Sequence, residues 1–161
     1  MSMKTSAQIQ IAKPAAEVFR WLIEPAKLTS WAGGSGVMPA DPSVLDGGVL
    51  LLESSEDLIP ASEFGYIARS LGERGLLAAV DAVVVARPPA STHEHRPGPE
   101  QRAAHRAEQC DVAQETIRRY NPHAVVVVGV PFGHTRPQWI LPYGGTMTVD
   151  SREQKVWADY D

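Results

Sequence analysis

Short runs of consecutive aliphatic residues recur along most of this chain, separated by stretches in which apolar positions return every three or four residues. The runs at 49–52, 79–86 and 124–129 are rich in Val and Leu and are bounded by Gly, Pro or Asp, which predicts short strands buried on both faces of a sheet. Residues 60–71 place Phe64, Ile67, Ala68 and Leu71 at i, i+3, i+4 and i+7, so a helix is expected there, stopped by Gly72. A second helix is expected over 99–120, with Ala103, Ala107, Cys110, Ala113 and Ile117 on one stripe and Asn121-Pro122 as its terminator. Residues 146–150 and 155–159, separated by Ser151-Arg152-Glu153-Gln154, read as a closing β-hairpin. The alternation of strand and helix predicts an α/β domain whose sheet is covered by helices.

The first forty residues follow a different pattern. Residues 8–11 alternate like a half-exposed strand, and 14–23 read as a helix with Pro14 in its first turn and Pro25 after its end. Gly33-Gly34-Ser35-Gly36 begins a Gly- and Pro-rich junction over 34–41.

Chemistry enters where the apolar runs end. The run at 124–129 leads into Pro131-Phe132-Gly133-His134-Thr135-Arg136-Pro137, which holds an imidazole in a loop at a strand exit. Loops at strand ends are where α/β proteins keep their reactive groups, so His134 is a candidate general base. The alternative is a histidine bonded to nearby backbone in a rigid turn. The run at 49–52 ends abruptly on Glu53. A carboxylate following buried aliphatics either turns to solvent or meets a donor, because burying it unpaired is costly. If the two strands are parallel, both groups leave the sheet at the same edge, where Glu53 could hold one ring nitrogen of His134 and leave the other to take a proton.

From Pro42 onward the chain resembles the C-terminal domain of the LD-carboxypeptidase and microcin-immunity family of serine peptidases. The resemblance rests on Leu45-Asp46-Gly47-Gly48-Val49-Leu50-Leu51-Leu52-Glu53, Gly72-Glu73-Arg74-Gly75-Leu76-Leu77 and Val83-Val84-Val85-Ala86-Arg87-Pro88. It continues through Phe132-Gly133-His134-Thr135-Arg136-Pro137, Leu141-Pro142-Tyr143-Gly144-Gly145 and Asp150. It implies a swivelling β/β/α-type domain over 42–161, a Ser-Glu-His triad in which Glu53 orients the ring and His134 is the base, no metal or other cofactor, and a homodimer. The nucleophilic serine of that family belongs to a separate N-terminal domain, which has no counterpart in these residues. Ser35 is no substitute, since no apolar strand precedes it and no helix follows. Ser54 and Ser55 read as caps of the next helix or as lining of the site.

The strand, helix and Trp31 of residues 1–33 are similar to the opening of a START-like ligand-binding domain of the Hsp90-activator type. The expected organisation is therefore a START-like fragment over 1–33, a junction over 34–41 and the peptidase-like domain over 42–161.

Composition narrows the remaining possibilities. A net charge of -4 with scattered basic residues argues against a nucleic-acid partner. One cysteine excludes an internal disulfide framework, and no apolar run is long enough for a membrane span or a signal peptide, which makes the cytoplasm the expected compartment. His93, Glu94, His95 and His105 lack familiar metal-ligand spacing and read as a solvated loop with its flank. Two functions stay open. One is the His- and Glu-bearing portion of a serine carboxypeptidase acting on a small peptide or peptide-nucleotide, silent until complemented by a serine-bearing domain. The other is a non-enzymatic remnant or a START-like ligand- or partner-binding module.

Overall fold

The computed structural model describes residues 5–8, 42–142 and 145–160. Strand β1 is Thr5–Gln8, and after a 3-10 turn at Pro42–Leu45 come β2 (Val49–Leu52), helix α1 (Ala61–Glu73), the short α2 (Leu76–Ala79) and β3 (Ala82–Ala86). Helix α3 (Pro99–Tyr120), β4 (Val125–Val130), β5 (Thr146–Asp150) and β6 (Lys155–Ala158) complete the order. Residues 9–41, which carry most of the START-like resemblance and the junction, lie outside the described residues.

Strands β2, β3 and β4 form a parallel sheet in the order β2-β3-β4. Each parallel crossover passes through helix, the usual way of making the long connection that parallel pairing needs. A second, antiparallel sheet has the order β1-β5-β6. In it Asp150 pairs with Lys155 as the expected hairpin, and Thr5–Gln8 runs along β5.

The central strand β3 separates two cores by its side-chain alternation. Val83 and Val85 pack with Phe64, Ala68, Leu71, Leu76 and Ile117 of the helices. Ala82, Val84 and Ala86 face the other way, onto Met147 and Val149 of the antiparallel sheet. The result is three layers, helix on parallel sheet on antiparallel sheet, which is the β/β/α arrangement that the family resemblance implies. All of β3 is buried, whereas Val125 to Gly129 of β4 are only half-buried because β4 is an edge strand.

Three local expectations need correction. Gly72 does not stop α1; it lies inside the helix, where a Cβ would come within 2.2 Å of Tyr120 Cγ, so the glycine permits close packing of α1 against α3. The buried face of α1 is Ala61, Phe64, Ala68 and Leu71, and Ile67 is exposed. On α3 the buried positions are Gln109, Ala113 and Ile117, while Ala103 and Ala107 face solvent. The long polar side chains on that inner face reach loop carbonyls: Gln109 Nε2 donates to Ile59 O at 2.6 Å, and Arg106 Nε to Pro88 O at 3.1 Å.

Asn121, buried just beyond α3, closes the helix onto the sheet. Its Nδ2 donates to the carbonyls of Leu77 and Val80 at 2.8 and 2.9 Å, and its Oδ1 accepts from the N–H groups of His123 and Ala124 at 3.2 and 3.0 Å. The side chain thereby satisfies backbone groups that the abrupt helix end would strand in the interior.

Candidate functional site

Leu52, Val85 and Val128 stand in register across the parallel sheet, so Glu53 and the loop after β4 leave it at the same edge with β3 between them. The loop turns back across the end of β3. Buried Phe132 anchors it in the core between the two sheets. Three bonds fold it on itself: Thr135 N–H to Gly133 O at 2.8 Å, Trp139 N–H to Pro131 O at 2.6 Å, and Gln138 Nε2 to Gly133 O at 2.7 Å. The Arg136-Pro137 peptide is cis.

Arg87, the first residue after β3, fastens that loop to the sheet. Its backbone N–H donates to Val130 O at 2.7 Å, its Nε to Thr135 Oγ1 at 2.8 Å, and its Nη2 to Arg136 O at 2.6 Å and Pro137 O at 3.2 Å. Charge at the exit of a buried strand is the signal that singles out Glu53; the same signal marks Arg87, whose part in the site is visible only once the loop is placed.

Glu53 Oε2 accepts the backbone N–H of His134 at 3.1 Å and lies 3.5 Å from His134 Nδ1. The carboxylate therefore holds the loop by its main chain and sits beside the ring, at a distance slightly long for a direct bond. Gly133 makes the approach possible: its φ is +70, and a Cβ there would fall 1.5 Å from Glu53 Oε2. The other ring nitrogen, Nε2, is 3.1 Å from Glu56 Oε2. Glu56 is a further participant that sequence pattern does not single out, since only a turn placing it over the loop brings it near His134. Ser55 Oγ accepts the N–H of Asp57 at 3.3 Å within that turn, and α1 begins later, after Pro60, so neither Ser54 nor Ser55 caps it.

These groups line an open cleft of about 1060 Å³, shared by Glu53, Glu56, His134, Arg96, Arg106 and Arg136. His93 also lines it, on the exposed segment that reads as a solvated loop. Among the described residues, no group of three His, Cys, Asp or Glu side chains is placed to hold a metal ion, and no helix is long and apolar enough to cross a membrane. Ser35 lies outside the described residues. Chemically, the arrangement offers an imidazole braced by one carboxylate, with its outer nitrogen open to the cleft once Glu56 moves aside.

The model of a family described as the LD-carboxypeptidase C-terminal domain matches residues 28–149. Among solved structures, an MccF-like protein from Streptococcus pneumoniae in complex with AMP is similar with a TM-score of 0.58 at 22% identity, over 97% of this chain and 42% of that one. An active-site mutant of the microcin C7 self-immunity protein MccF in the apo state gives 0.58 at 16% identity, over 99% of this chain and 40% of that one. MccF in complex with glutamyl sulfamoyl guanosine gives 0.58 at 16%, over 100% and 40% respectively. The likeness at these identities is one of fold, and the chain spans about two fifths of the length of those structures. None of the curated proteins compared matches the chain significantly.

Proposed function

The chain belongs to the LD-carboxypeptidase C-terminal domain family, and from that membership we propose that it supplies the general-base half of a serine-type carboxypeptidase site. His134 is the base, Glu53 positions it, and the nucleophilic serine is brought by a separate domain, in the same polypeptide or in another. The observation carrying this reading is the approach of Glu53 Oε2 to both the backbone N–H and the Nδ1 of His134.

In the reaction, the serine oxygen attacks the carbonyl carbon of a peptide or amide bond while His134 Nε2 accepts the hydroxyl proton. The same nitrogen then returns the proton to the leaving amine, and water releases the acyl group by the reverse sequence. Glu53 stabilises the imidazolium formed between these steps. Glu56 must first leave Nε2, which is easy for a pair so exposed, since such ion pairs contribute about 0–1 kcal/mol. The substrate class is a small peptide or peptide-nucleotide with a free acidic group near the scissile bond, in keeping with the AMP and glutamyl sulfamoyl guanosine bound by the MccF-type neighbours.

Loss of a triad nucleophile lowers turnover about a millionfold, so this chain by itself is expected to leave an L,D-dipeptide amide intact. Adding a serine-bearing domain of the family should restore hydrolysis, His134→Ala should abolish it, and Glu53→Gln should reduce it by orders of magnitude. Full turnover in the His134→Ala protein would sink the assignment. A second reading, a silent binding module, is favoured by Glu56 occupying Nε2. Ligand binding without turnover after complementation would select it.

A further inference from the structure

We propose that Arg106 forms an anion-recognition site in the lining of the Glu53 and His134 cleft and takes a carboxylate or phosphate group of the bound ligand. Arg106 lies in the second turn of α3 and lines the cleft with Arg96 and Arg136. Its Nε donates to Pro88 O at 3.1 Å, which spends one of five N–H donors and fixes the plane of the guanidinium. Among the described residues its two terminal nitrogens have no partner. A guanidinium held this way presents a fork suited to a bidentate oxyanion.

The neighbouring charges reinforce this. Arg102 Nη1 donates to Pro97 O at 3.0 Å, and Arg87 bonds only Thr135 Oγ1 and the carbonyls of Arg136 and Pro137 through its side chain. All these acceptors are neutral. Positions 102, 103, 109 and 110, one turn either side of Arg106, hold no acid, so the helix offers it no internal ion pair. Two other helical arginines do have acids one turn away, Arg69 with Glu73 at 2.6 Å and Arg119 with Glu115 at 2.8 Å. Burial, followed by the positive charges of Arg87 and Arg102, lowers the pKa of Arg106. Glu53, Glu56, Asp57 and Glu94 line the same cleft, yet none is in ion-pair contact with Arg106, and a partly buried cation left unpaired is disfavoured until an anion arrives, a condition concentrated at functional sites.

The natural ligand's identity rests on the peptidase reading of the cleft, whereas the anion site does not require a nucleophile. It is tested by calorimetric titration of the full chain with N-acetyl-D-alanine and with AMP, using N-acetyl-D-alanine amide and adenosine as uncharged counterparts. At least one anion should bind, its uncharged counterpart more weakly. Arg106→Gln should weaken anion binding by about tenfold or more, the scale of one lost charged contact. Arg106→Lys should recover part of it, and Arg119→Gln, on the same helix but paired to Glu115, should leave it unchanged. Preference for N-acetyl-D-alanine identifies a peptide carboxylate as the source, and preference for AMP a nucleotide phosphate; either supports the site.

Equal binding of charged and uncharged ligands, no binding of either anion, or undiminished binding in a folded Arg106→Gln protein would overturn it. Should Arg106-dependent binding occur with no hydrolysis after a serine-bearing domain is added, the peptidase reading fails and the anion site stands. Hydrolysis with anion binding indifferent to Arg106→Gln removes the anion site and leaves the peptidase reading in place.

Discussion

Glu53 and Gly133 occupy each other's space: the Glu53 carboxylate lies where a side chain at position 133 would have to be, with Oε2 only 1.5 Å from an ideal Cβ. A glycine is needed there for two independent reasons, the left-handed backbone and the approach of the acid. Together they bring the carboxylate onto the backbone N–H of His134.

Gly133→Ala should therefore destabilise the protein by more than the backbone penalty alone, which is about 1–2 kcal/mol for a non-glycine residue in this conformation. Gly129 supplies the control, because its φ is +79 and nothing lies within 4 Å of an added Cβ. Thermal unfolding of both variants should show the larger fall for Gly133→Ala. In addition, only that variant should move the His134 ring resonances, as Glu53 is pushed off the loop. Equal falls and an unshifted ring would mean that the carboxylate relocates without consequence.

The two ends of this site were legible because each interrupts a pattern. Glu53 ends an aliphatic run, and His134 sits among Gly and Pro after another, so both stand out in one dimension. Arg87 and Arg106 were harder to see, because their contacts are with loop carbonyls whose positions only the fold determines. On α3 the apolar stripe through Ala103 and Ala107 misled for the same reason: Gln109, with its amide on Ile59 O, lies inward and the small alanines face water. Apolar periodicity locates helices well and ranks their faces poorly when long polar side chains reach buried acceptors. Glu56 was illegible since a turn, not a helix or strand, carries it to His134.

Glu56 is mostly exposed, and its contact with His134 Nε2 blocks the nitrogen that the proposed chemistry uses. Glu56→Ala should leave the unfolding temperature nearly unchanged, because surface pairs contribute about 0–1 kcal/mol. In the complemented hydrolysis assay it should maintain or modestly raise turnover. A steep loss of kcat in that variant would instead place Glu56 within the reacting machinery.

Asn121 bonds four backbone groups where α3, α2 and β4 converge. Truncation leaves buried donors and acceptors unmatched, each costing about 1–3 kcal/mol where water cannot replace the partner. Asn121→Ala should thus lower the free energy of unfolding by several times the effect of Glu56→Ala, measured by urea denaturation with unchanged m-value. Asn121→Asp should be comparably harmful, as it replaces the amide nitrogen and its two N–H donors with one oxygen facing the carbonyls of Leu77 and Val80. A loss no greater than that of an exposed polar residue would show that water substitutes for the amide.

Cys110, half-buried on α3, has its thiol pushed up in pKa by burial first and by the Asp111 carboxylate second. The thiolate is the reactive form, so alkylation by iodoacetamide at neutral pH should be slower in the folded protein than in urea. Above the ordinary thiol pKa of about 8.5 the unfolded chain releases this proton before the folded one does, so the folded state binds more protons. The contribution of Cys110 to stability is complete below that value and declines as pH rises toward the raised folded pKa. Urea denaturation across the alkaline range should show this decline in the natural protein and a shallower one in Cys110→Ala. Identical slopes, with alkylation as rapid in the folded protein as in urea, would mean the thiol is open to solvent.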